Sequence, residues 1–155
     1  MSIKLTLRFW LLPATLATLA TLAFAGTSSA VAADIKLEAQ LIWGTDEAQP
    51  SDPKLTPVDT ELEKKLKNSF KWKYYFKVSS KQLTVPQSGE KKESMSKQCE
   101  IAVKNLGGDK VEVQLFGKGK LVEKRTQSLS KGKCLIIGGN AENTTSWFVI
   151  LKQVD

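Results

Sequence analysis

The residue types that do most of the chemistry in proteins are sparse in this chain. Histidine is absent. That removes the commonest general base, the Ser-His and Cys-His nucleophile arrangements and the commonest metal ligand. Carboxylates can work in pairs without histidine, as in glycoside hydrolysis. The candidates, Asp46, Glu47 and Glu142, sit in no recognisable motif and in stretches that read as open loops. A carboxylate there keeps an ordinary pKa. Asp46, Glu47 and Asp52 miss the spacing of a calcium loop. Gly107-Gly108 and Gly117-x-Gly119 open no helix, so neither is a phosphate loop. The expectation is therefore no catalytic residue, no metal and no cofactor.

Cysteine chemistry is limited to Cys99 and Cys134. They lie too far apart for a CxxC redox motif. In an exported chain such a pair favours a disulfide over a metal or catalytic site. It would close a loop of about 36 residues and stabilise the fold by roughly 4 kcal/mol. Two buried thiols that never meet are the alternative.

The richest remaining stretch is "SFKWKYYFKV", Ser69 to Val78. With period two, Phe70, Trp72, Tyr74, Phe76 and Val78 share one face, and Lys71, Lys73, Tyr75 and Lys77 the other. A platform for single-stranded nucleic acid needs aromatics and cations on the same surface. Here they point apart, as in a strand over a core. What survives as a candidate is a cationic patch of Lys71, Lys73, Tyr75 and Lys77. A second basic run includes Lys118, Lys120, Lys124, Arg125, Lys131 and Lys133, with Glu112 and Glu123 interspersed. If the two runs are neighbours they merge into one polyanion-binding surface.

The elements that would position these groups begin after a leader. Lys4 and Arg8 precede the uncharged "FWLLPATLATLATLAFA", and Ala30-Val31-Ala32 fits a cleavage site. This is the layout of a secretory signal peptide over residues 1–33. An uncleaved anchor is the alternative, weakened by the short run and by Pro13. Of the 23 basic residues, Lys4 and Arg8 fall in the leader, which leaves 21 against 16 acidic ones and a net charge of +5. The expected location is periplasmic or extracellular, with no membrane span after cleavage.

Residues 34–155 are enough for one core. Ile35 to Trp43 alternates as a half-buried strand. Thr45 to Pro57, with three prolines, reads as a loop. Asp59 to Ser69 reads as a helix, with Asp59 as N-cap, Glu61 and Glu63 in the first turn, and Leu62, Leu66 and Phe70 as its apolar stripe. Lys81 to Val85 is a short strand and Gln87 to Glu93 a polar loop. Met95 to Val103 alternates as one strand. "NLGGD" and "GKGK" are hairpin turns between alternating runs. Cys134 to Ile137 and Thr145 to Val154 are apolar on both faces and are expected in the middle of the fold. The spacing predicts a mostly β domain, an antiparallel β-sandwich or small barrel of seven to eight strands with one short helix.

"LEAQLIWGTDE", "DPK", "PVD" and "KL" before an aromatic strand, with "SWFVILK" near the end, resemble a group of small, uncharacterised exported bacterial proteins. The resemblance spans nearly the whole mature chain. It implies export, a bacterial host and a β-rich domain, and it transfers no activity and no site. Taken together, these features favour a non-enzymatic exported β-domain that binds a protein or polymer partner at the cell envelope. The alternative is binding of a polyanion, nucleic acid or an anionic envelope polymer, through the lysine-rich strand faces.

Overall fold

The computed structural model describes residues 33–141 and 145–154. Nearly all of the expected signal peptide, and Glu142, lie outside the described residues. The elements in chain order are β1 (Ile35–Thr45), β2 (Thr56–Pro57), α1 (Thr60–Ser69), β3 (Tyr74–Val85), β4 (Glu90–Ser96), β5 (Cys99–Asn105), β6 (Lys110–Gly117), β7 (Lys120–Ser128), β8 (Cys134–Asn140) and β9 (Ser146–Gln153). They form two antiparallel sheets, one ordered β2-β3-β1-β9-β8 and the other β4-β5-β6-β7. The architecture is a β-sandwich, not a closed barrel.

Alternation explains the sandwich core. Ile35, Leu37, Ala39 and Leu41 of β1, Leu83 and Val85 of β3, and Val149 and Leu151 of β9 face inward from the first sheet. Ile101, Val103, Val111, Val113 and Leu115 meet them from the second. Each valine, leucine or isoleucine among them, fully buried, stabilises the fold by about 1.5–3 kcal/mol.

The first sheet has a second dry face. Ile42, one residue past the inward Leu41, points the other way and packs with Tyr75, Phe148, Ile150 and Leu66 of α1. Leu62 and Phe70 complete the helix stripe. Asp59 caps α1, its Oδ1 accepting from the Leu62 N–H at 2.8 Å. The molecule thus has three layers: helix, five-stranded sheet, four-stranded sheet. That explains why β8 and β9 are apolar on both faces, and why the second face of β1, polar at Lys36, Glu38 and Gln40, turns apolar at Ile42.

Both flanks of the sandwich are closed by side chains. On one, Ser79 Oγ donates to the Met95 carbonyl at 2.7 Å and Lys81 pairs with Glu93 at 3.1 Å, linking β3 to β4. On the other, Glu123 of β7 accepts from the Gly138 N–H at 3.2 Å, and Arg125 donates to the Ile136 carbonyl at 3.4 Å. Inward charges on a strand edge discourage pairing with other chains.

Several expectations change. Residues 70–73 are a connection, and β3 starts at Tyr74 and runs on through the separate strand expected at 81–85. Residues 90–96 form β4, where a polar loop was expected over Gln87 to Glu93; as an edge strand it buries only Met95, so it carries no apolar period. Lys97 and Gln98 turn the chain between β4 and β5, dividing the strand expected over 95–103. β9 is central as expected, but β8 is an edge strand of its sheet, its second face covered by the α1 layer.

The expected Cys99–Cys134 disulfide is not formed; both cysteines are free. Cys99 points into the inter-sheet core and Cys134 lies against the helix layer, so the first sheet stands between them.

Candidate functional site

The most distinctive concavity lies at one end of the sandwich, where the two sheets part. It is a cleft of about 650 Å³ lined by Leu41, Trp43, Val78, Val122, Trp147 and Cys99, with Ser96, Gln98, Gly117, Lys118 and Ala141 around them. Trp43 and Trp147 are partners across β1 and β9, so both stand on the inward face. Both are only partly buried.

Register irregularities build the walls. Leu41 pairs with Ser79 and Ile42 with Lys77, so Val78 is the extra residue of a bulge in β3. Leu115 pairs with Glu123 and Phe116 with Leu121, so Val122 is the extra residue of a bulge in β7. A bulge re-aims its side chain and bends its strand. Here the two bulges bring two valines, 40% and 44% exposed, to the same opening. Glycines make room beside them: a Cβ on Gly117 or Gly139 would lie 3.0 or 2.9 Å from the Trp147 ring.

The cleft has little reactive chemistry. Burial pushes the Cys99 thiol up to about 11, so it is a poor nucleophile. Ser96 Oγ accepts from the backbone N–H groups of Gln98 and Cys99, at 3.2 and 3.1 Å, and is committed to its turn. Among the described residues no group of three or more His, Cys, Asp or Glu could hold a metal.

The lysine-rich segments meet elsewhere, and only in part. Lys71 and Arg125 line a groove of about 530 Å³ with Phe70, Trp72 and Phe148. Lys71 Nζ stands 4.6 Å from the Trp72 ring centroid. Arg125 is paired with Glu123 in the same groove. Lys124 pairs with Glu112 at 3.0 Å, and that lysine, with Gln114, holds the Glu112 carboxyl below its usual range. Lys73 stays exposed in the connection, its backbone N–H donating to Asp46 at 3.2 Å. Lys77 is half-buried between Ile42 and Thr56. Lys118, in the β6–β7 turn, is at the rim of the tryptophan cleft, and Lys120 begins β7.

Tyr75 leaves the candidate surface altogether. It is 2% exposed, and its hydroxyl donates to the Leu66 carbonyl at 3.3 Å. Burial raises its pKa. Tyr74, expected inside, is 37% exposed. The two lie on opposite faces, as alternation requires: Tyr75, opposite Gly44, is on the face that the α1 layer buries, while Tyr74, opposite Thr45, begins the strand and stays exposed.

No family model, no curated protein and no solved structure matches this chain. Its site is read from its own geometry. Sequence reading placed Trp43 and Trp147 on core faces but missed the cleft they line. Their strands' pairing and the two bulges leave no mark in the hydrophobic pattern.

Proposed function

We propose that the chain is an exported, non-enzymatic binding domain of the bacterial envelope whose partner is seated in the Trp43–Trp147 cleft. The observation that carries this reading is the convergence of two bulge valines and two half-buried tryptophans on one open cavity. An apolar cavity of this size is a common form of binding site, and exposed apolar surface left in one place calls for a partner. Catalysis is unsupported: the one thiol in the wall is held protonated, and Asp46 is tied to the Lys73 backbone. Strand addition, a frequent mode of peptide capture, is disfavoured because both flanks are closed by side-chain bonds.

The test is binding of Nile red, a neutral apolar dye, to the folded chain. The expected result is saturable binding at one site, lost in Val122→Asp while the circular dichroism spectrum is unchanged. Binding that survives Val122→Asp, or none at all, would overturn the cleft as the site.

Polyanion binding through Lys71, Lys73, Lys77, Lys118, Lys120, Lys124 and Arg125 has less support. Lys124 and Arg125 are matched by Glu112 and Glu123, and Lys71 and Lys118 line different cavities. Elution from an anionic polymer below physiological salt is expected; retention at high salt that Lys71→Gln abolishes would revive it.

A further inference from the structure

The groove between the α1–β3 connection and the β7–β8 flank shares no lining residue with the tryptophan cleft and is chemically unlike it. One wall is aromatic: Phe70, Trp72 and Phe148. Phe70 is half-buried and packs on Phe148, their ring centroids 4.4 Å apart. Gly138 leaves the floor open, because a Cβ there would lie 2.7 Å from Phe148 Cδ1. The other wall is the Glu123–Arg125 ion pair, neutral as a whole. Both side chains are anchored to the backbone of β8, Glu123 at the Gly138 N–H and Arg125 at the Ile136 carbonyl. Their capacity is only partly used. A guanidinium carries more N–H groups than the two bonds of Arg125 engage, and a carboxylate more lone pairs than the two of Glu123. The Arg125 side chain is 47% exposed and that of Glu123 24%, so the wall presents a pre-ordered donor beside a pre-ordered acceptor.

Ligand classes sort on these two walls. An anion would find Arg125 already matched and would face the Glu123 carboxylate. An ammonium group would face Lys71, whose Nζ stands 4.6 Å from the Trp72 ring centroid. A nucleobase needs an open ring to stack on, and Trp72 is buried beside that lysine. A hydrocarbon would strip water from the ion pair without replacing its hydrogen bonds. A ring with hydroxyls on its edge and C–H groups on its faces suits both walls. Each hydroxyl donates and accepts, so one donates to Glu123 while its neighbour accepts from Arg125, and the C–H face covers Phe70. The volume, about 530 Å³, is that of a small-ligand site. We infer that this groove is a second binding site, separate from the tryptophan cleft, for a neutral pyranose, a sugar unit of an uncharged glycan. Binding is non-covalent.

The experiment is a titration of the folded, isotope-labelled chain with the methyl pyranosides of glucose, mannose and galactose, followed by two-dimensional NMR. Glucuronate and cyclohexanol are the controls. At least one methyl glycoside is expected to shift the Trp72 indole N–H signal saturably. It should leave the Trp43 and Trp147 indoles unmoved and bound Nile red in place. Arg125→Lys keeps the charge but loses the planar fork, and should weaken binding at least about tenfold. Phe70→Leu keeps an apolar side chain but loses the ring, and should weaken it about fivefold. Both variants are compared with the wild type by circular dichroism, and either one that stays folded serves the test.

No saturable shift with any glycoside up to about 100 mM would overturn the inference. So would a folded Arg125→Lys or Phe70→Leu variant that binds like the wild type. Cyclohexanol binding as tightly as the glycosides would overturn the sugar in favour of any apolar ring. Glucuronate binding at least about tenfold more tightly, with an advantage that salt removes, would overturn the neutral ligand in favour of an anion. None of these results touches the tryptophan cleft, which Nile red tests by itself.

Discussion

At Cys99 the protein's environment sets the chemistry. Its folded pKa, about 11, lies above the ordinary 9.0 because ionisation would put a charge in the apolar core. The sign of the consequence follows from linkage. Stability from keeping this thiol protonated is complete below the unfolded pKa and is lost as pH rises through the folded one. Between about pH 9 and 11 the wild-type chain should lose about 2–3 kcal/mol that Cys99→Ala does not lose. Urea unfolding of both proteins across that range checks it; parallel curves would refute it. Gly138 is a second sensitive position. A Cβ there would lie 2.7 Å from both Phe148 Cδ1 and the Trp147 carbonyl. Gly138→Ala should destabilise by about 1–3 kcal/mol, measured as a shift in the denaturation midpoint.

At the scale of the element, α1 shows how a short helix is held. Ten residues are too few to be stable alone. Asp59 satisfies one N-terminal donor, and Tyr75 adds a hydrogen bond to the Leu66 carbonyl at the other end. The stripe around Leu66, which is fully buried, supplies most of the stabilisation. Asp59→Ala should cost about 1 kcal/mol. Leu66→Ala should cost about 2–5 kcal/mol, because it also leaves a cavity. If the two variants unfold at the same denaturant concentration, the cap matters as much as the core contact and this ranking is wrong. The helix was legible in the sequence because its cap, its charges and its four-residue stripe are all local. The strand beside it was legible only in outline. Alternation over 74–77 holds, yet the face that carries Tyr75 is covered by the α1 layer, and Tyr74 at the start of the strand stays exposed.

At the scale of the molecule, the flanks decide whether the sandwich stays alone. β7 and β8 are edges of different sheets, and Glu123 and Arg125 fill the space between them. Replacing Glu123 with Leu and Arg125 with Met would free the Gly138 N–H and the Ile136 carbonyl for another chain. The expected outcome is concentration-dependent association, seen by analytical ultracentrifugation, stronger than in the wild type. A double variant that sediments like the wild type would show that the edge is protected by something else.

The sequence by itself determined the β class, the hairpin turns, the helix with its cap and the inward faces of β1, β6 and β9, because each depends on residues close together in the chain. It also determined the lack of histidine chemistry. Only the tertiary structure decided that β8 is an edge, that Cys99 and Cys134 lie on opposite sides of a sheet, that Arg125 and Lys124 are matched by carboxylates, and that Trp43 stands beside Trp147. These are facts of pairing between segments distant in sequence. A hydrophobic pattern says which side chains must be dry, but it does not say which strand supplies the neighbour or where an extra residue breaks the register.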